Sequence, residues 1–129
     1  MSESKASMPS EWIRKAENDL ISARVLLLAE DGSCSDNVCF HAQQVVEKSL
    51  KALLIVKGIV FRKIHDLDIL LQQADDADLQ GFREGCVMLS TYAVESRYPG
   101  DYVEPEREEA EEAVRIATEI FELVKNKLG

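Results

Sequence analysis

His41, Gln44, Lys48 and Lys51 follow one another at intervals of three, four and three residues, the spacing that lines one side of an α-helix. With Asn37 ahead of them, the row offers amides, an imidazole and two ammonium groups. These are donors suited to phosphate or carboxylate oxygens. Two other places carry similar chemistry: His65 followed by Asp66, and Arg97 followed by Tyr98. There a guanidinium fork stands next to an aromatic face. Each residue also has a plainer reading. His41 can be a satisfied surface or interface histidine, and His65 a helix-entry residue bonded to nearby backbone. Lys51 can pair with Glu47 at i,i+4 for about 0.2–0.5 kcal/mol. Arg97 can anchor a loop through backbone carbonyls.

The row lies in the stretch 35–58, whose other face carries Val38, Ala42, Val45, Val46, Leu50, Leu53 and Leu54. That is a core-facing stripe at helical period. Ser35 or Asp36 caps this helix and Gly58 stops it. Ahead of it, Ser10 is the expected N-cap of a helix that runs to about Glu30, with Ile13, Ala16, Leu20, Ala23 and Leu27 inward. After it comes a connection with Arg62 and Lys63, then a short helix with Leu67, Leu70, Leu71 and Ala74 inward. Asp78 is the expected cap of a fourth helix burying Leu79, Phe82, Cys86, Leu89 and Ala93. Gly81 and Gly85 weaken that helix by about 1 kcal/mol each relative to Ala. Pro105 suits the first turn of a last helix whose inner face is Ala110, Ala113, Val114, Ala117, Ile120, Phe121 and Val124. No segment alternates with the period of a half-buried strand. The expectation is an all-α, antiparallel up-and-down bundle of four main helices and one short one. Residues 1–8 are expected to be a flexible N-terminus and 9–129 one domain.

With 129 residues, 46% apolar, the chain can bury a core without disulfide or metal staples. Its net charge of −9 argues against broad contact with nucleic acid or an anionic membrane. Locally the balance reverses: Lys48, Lys51, Lys57, Arg62 and Lys63 face only Glu47 between Gln43 and His65. The three cysteines, Cys34, Cys39 and Cys86, lack CxxC or His/Cys ligand spacing and read as reduced thiols of a cytoplasmic protein. No metal is expected, since the two histidines lack HxxxH or HExxH spacing. No glycine-rich phosphate loop and no Ser/His/Asp spacing is present, and no cofactor is expected. No apolar run is long enough to span a bilayer.

The run Phe40-His41-Ala42-Gln43-Gln44-Val45-Val46-Glu47-Lys48-Ser49-Leu50-Lys51-Ala52-Leu53-Leu54 is preceded by Trp12 and Ala16-Glu17-Asn18-Asp19-Leu20. It is followed by His65-Asp66-Leu67 and Arg97-Tyr98-Pro99. Together these resemble the HEPN domain (higher eukaryotes and prokaryotes nucleotide-binding) over nearly the whole chain. The resemblance implies a helical bundle, commonly a homodimer with a shared cleft, and often a partner of a small nucleotidyltransferase in a toxin–antitoxin pair. Many relatives are metal-independent ribonucleases with an R-x4–6-H motif. Here Arg97 matches, but no histidine follows it anywhere in the chain, so the acid–base group suited to neutral pH is missing.

The leading expectation is therefore a non-catalytic module that binds a nucleotide-like ligand, or pairs with a nucleotidyltransferase. Its site would be His41, Gln44, Lys48, Lys51, His65, Arg97 and Tyr98. In some family pairs the partner enzyme attaches AMP to a tyrosine near the Arg97 motif, and the resemblance makes Tyr102 the candidate for that modification. The alternatives are an atypical HEPN ribonuclease, with His41 or His65 standing in, and a purely structural interaction bundle.

Overall fold

The computed structural model describes residues 8–29, 31–61, 66–93 and 104–129. His65, Arg97, Tyr98 and Tyr102 lie outside the described residues, as do Arg62 and Lys63. Among the described residues, five α-helices make an all-α antiparallel bundle: α1 (Pro9–Leu27), α2 (Ser35–Val56), α3 (Leu67–Ala74), α4 (Arg83–Ser90) and α5 (Arg107–Leu128). α2 is the central element, packed most extensively against α1 and α5 and less so against α3 and α4.

The apolar stripes predict the core well. Val38, Ala42, Val45, Val46, Leu50, Leu53 and Leu54 of α2 are all buried, together with Ala16, Leu20 and Ala23 of α1. Across from them, Ala110, Ala113, Ala117, Ile120, Phe121 and Val124 of α5 complete the interior. α2 stops as expected at Gly58, whose φ is +74°. The Ile59 N–H reaches the Leu54 carbonyl at 2.9 Å and the Gly58 N–H reaches Ile55 at 3.0 Å, the paired bonds of a Schellman stop. Asp66 caps α3 by accepting from the Asp68 and Ile69 N–H groups, and Ser90 Oγ accepts from the Leu67 N–H at 2.8 Å.

Four boundaries differ from the sequence expectation, the first being that of α2, which neither Ser35 nor Asp36 caps: the helix already includes both, and Cys34 stands at its N-cap position. α1 begins one residue before Ser10, with Met8 at the N-cap position and Pro9 in the first turn. Proline's fixed φ suits that turn, and its missing N–H would have had no helical partner there. The fourth helix is not capped by Asp78. It opens as a 3-10 turn, Gln80–Phe82, and becomes α-helical at Arg83. The Asp78 carboxylate instead takes Lys127 Nζ at 2.7 Å. Pro105 stands ahead of the last helix, whose N-cap is Glu106.

Glycine matters most at Gly85 of α4. A Cβ there would meet Ile116 Cδ1 at 3.0 Å and Cγ2 at 3.2 Å. The residue that weakens α4 as a helix thus lets it approach α5 closely.

Candidate functional site

The row on α2 meets α1 through a single carboxylate. Asp19 sits among the inner turns of α1, and its Oδ1 lies 2.8 Å from His41 Nδ1 while its Oδ2 takes Lys48 Nζ. A carboxylate only accepts, so Nδ1 carries the proton of this bond, and in the neutral ring the far nitrogen is then the acceptor. The His41 and Lys48 side chains are 28% and 22% exposed, Asp19 14%. The pair therefore stands at the edge of the α1–α2 seam, in reach of water. The Phe40 ring stands edge-on to the His41 ring at 5.6 Å.

Behind this edge the row turns inward. Gln44 Nε2 donates to Gln43 Oε1 at 2.7 Å, and Gln43 Nε2 donates to Glu47 Oε1 at 2.8 Å. Lys51 Nζ donates to Glu47 Oε2 at 2.9 Å. Gln43, Glu47 and Lys51 are all buried. The Lys51 ammonium also faces the rings of Trp12 (5.6 Å) and Phe61 (5.5 Å), which meet edge to face. A desolvated ammonium between two rings and a carboxylate gains from both. Its role is to join α1, α2 and the chain after α2.

Among the described residues of 43–65, Lys51 is met by Glu47 within the segment, and Lys48 and Lys57 by residues outside it. Asp19 answers Lys48 from 29 positions away. Lys57 Nζ donates to the Ala74 carbonyl at 2.6 Å and lies 3.9 Å from Asp76. Of the residues expected to form one site, the structure places His41 and Lys48 together on Asp19, and Gln44 and Lys51 in a second chain of bonds through Gln43 and Glu47. Asp19 and Gln43 belong to these networks without being among the expected site residues, while Glu47 pairs with Lys51 as their i,i+4 spacing allows. The signal for Asp19 was an acidic residue on the inward side of α1.

A second buried network closes the other end of α2. Tyr92, just past α4, is buried and donates its hydroxyl to Glu109 of α5. Burial first, then the carboxylate beside it, pushes the Tyr92 phenol up. Burial also pushes the neighbouring Cys39 thiol up to about 12, partly opposed by a hydrogen bond with Tyr92. Among the described residues no group of His, Cys, Asp and Glu is arranged to hold a metal ion. None of their helices is long and apolar enough to cross a membrane.

Known proteins resemble this chain in sequence and fold. A protein of Methanocaldococcus jannaschii named "Putative toxin MJ1304" is 32% identical over 135 residues, covering 91% of this chain and 86% of its own length. The crystal structure of ST0689, an archaeal HEPN homologue, superposes with a TM-score of 0.76 at 28% identity, over 95% of this chain and 98% of that one. TT1696 from Thermus thermophilus superposes with a TM-score of 0.74 at 30% identity, over 92% and 97% of the two chains. The HEPN domain model matches residues 9–127, and the chain belongs to the HEPN domain family.

Proposed function

We propose that this HEPN protein is the non-catalytic member of a toxin–antitoxin-like pair, a cytoplasmic homodimer that docks a small nucleotidyltransferase. The observation that carries this reading is the inward pairing of the α2 row. Asp19 and Glu47 engage the cations that would otherwise cradle a polyanion, so α2 serves chiefly to fix α1. The kinship with a protein named as a toxin supports the pairing. The lack of any histidine after Arg97 speaks against the family's ribonuclease chemistry. A nucleotide-like ligand would meet His41, Gln44 and Lys48 at the edge of the seam, with His65, Arg97 and Tyr98 as further contacts and Tyr102 as the tyrosine for nucleotidyl transfer. Lys51 would support that edge from beneath. Native affinity purification of the tagged chain from its own cells tests the pairing. A stoichiometric small nucleotidyltransferase is expected, and a chain that elutes alone overturns it. Binding of ATP and AMP tests the ligand: Lys48→Ala and Arg97→Ala should each weaken it, and parental affinity in both removes the ligand role.

A specific contact favours a second reading, an atypical ribonuclease. Asp19 orients His41 through Nδ1 and leaves Nε2 to accept a proton, the arrangement of a general base. In that case expression of the chain is toxic with loss of RNA. Both His41→Ala and Arg97→Ala abolish the loss; survival of cleavage in His41→Ala ends this reading.

A further inference from the structure

Gly58 needs its positive φ and Gly85 its close approach to Ile116, but Gly81 answers to neither demand. Its φ is not positive, and a Cβ there would meet nothing within 4 Å among the described residues. Glycine nonetheless weakens the 3-10 turn, Gln80–Phe82, that opens α4. The open space at Gly81 belongs to a hollow of about 420 Å³ between α4 and α5. Phe82, Gly85, Met88 and Ile116 give that hollow apolar surface, while Glu84, Glu112 and Arg115 give it charge. A second hollow shares Gly81 and Glu84 and adds Arg83 and Val87, the latter 50% exposed. Both cations of this groove are engaged: Arg115 donates to Glu112 and Glu119, and Arg83 donates to Asp68. Glu84, common to both hollows, has no ion-pair partner among the described residues.

We propose that the groove running over Gly81 and Glu84, with Glu112 and Ile116 of α5 on its flank, docks a basic amphipathic segment of another protein. A lysine or arginine of that segment would reach Glu84, and its apolar side chains would lie on Phe82, Val87 and Met88. The bare backbone at Gly81 lets the segment come close. Charge selects this occupant. Nucleic acid and anionic lipid bring the sign that Glu84 repels, to a chain of net charge −9. A second copy docking through the same face would bring Glu84 and two arginines that already hold carboxylates. The groove lies on α4 and α5 rather than at the α1–α2 seam, so this inference can fail without the proposed pairing failing.

The test uses the full chain and a labelled synthetic helical peptide with one leucine face flanked by lysines, followed by fluorescence anisotropy. Gly81→Leu fills the groove at its open point and is expected to weaken binding by about tenfold or more. Glu84→Gln should weaken it severalfold, as should added salt. The same peptide with glutamates for lysines should not bind. Because position 81 is open and leucine favours a helix over glycine, Gly81→Leu should melt no lower than the parent. That separates lost docking from lost fold. In the amide NMR spectrum the peptide should shift Gly81 and Gly85 and leave the α1–α2 seam in place. No binding, parental affinity in either variant, shifts confined to other helices, or equal binding of the glutamate peptide overturns the proposal. So does a dimer in light scattering that Gly81→Leu converts to monomer, because the groove then belongs to a second copy.

Discussion

The α1–α2 seam and the outer face of α5 are both rich in charge, and they use it in opposite ways. At the seam, two carboxylates each serve two partners: Asp19 holds His41 and Lys48, while Glu47 holds Gln43 and Lys51. On α5, Arg115 holds Glu112 and Glu119 in full view of solvent. In sequence, Glu47/Lys51 and Arg115/Glu119 are the same object, an i,i+4 pair. The Lys51 side chain is 7% exposed and that of Arg115 is 54%. Burial separates a fold-determining contact from a solvated one.

Removing Glu47 should break the seam most severely. Glu47→Ala leaves the Lys51 ammonium and the Gln43 amide buried without their acceptor, at a cost of roughly 3–5 kcal/mol in urea unfolding. Lys51→Met in the same background keeps an apolar stem under Trp12 and Phe61 and should restore most of the loss. A Glu47→Ala loss no larger than that of a surface pair would place both regions in one class and dissolve the contrast.

Asp19→Ala should cost less, about 1–2 kcal/mol, because His41 and Lys48 can turn to water once the carboxylate is gone. Since the bonds of Asp19 and of Glu47 share no partner, their losses should add. Strong non-additivity would show that the seam yields as one unit.

Buried neutral acids extend the contrast to pH. Burial holds the Cys39 and Cys86 thiols at about 12, raised from 9.0. Their folded-state pKa is the higher one, so the folded chain keeps protons that the unfolded chain releases. Stability is therefore full below about pH 9 and falls as pH rises from there toward 12. Unfolding midpoints taken at neutral and alkaline pH should show this fall, and Cys39→Ala should reduce it. At about pH 8 a thiol reagent should label half-buried Cys34 while Cys39 and Cys86 react only on unfolding. Prompt reaction of all three would mean the interior opens easily.

Much of the fold was legible because its causes are local. Leu67, Leu70, Leu71 and Ala74 at helical spacing behind Asp66 predict α3, and Gly58 marks the stop of α2. The inner stripe of α5 needs nothing beyond its period. Boundaries went astray where a local rule had a competitor: Ser10 is a good cap, but Pro9 just before it starts the helix. Asp78 is a good cap too, but Lys127, 49 residues on, takes its carboxylate. The candidate site was half legible. The row on α2 follows from its spacing, but its meaning depends on Asp19, 22 residues before His41. A local count of charge reports a basic segment, whereas in the fold Lys48, Lys51 and Lys57 each meet a carboxylate.

The gentlest test lies on α5. Arg115 is fully solvated, and the carboxylates beside it, Glu112 chiefly, push its pKa up by hydrogen bonding. The same bond draws Glu112 below the usual carboxylate range. Neither shift signals stability, because water solvates these groups almost as well when the helix unfolds and salt screens the rest. Arg115→Ala should therefore leave the unfolding midpoint unchanged within error. An unchanged midpoint here, against the large loss expected of Glu47→Ala, separates a solvated pair from a seam that holds the fold.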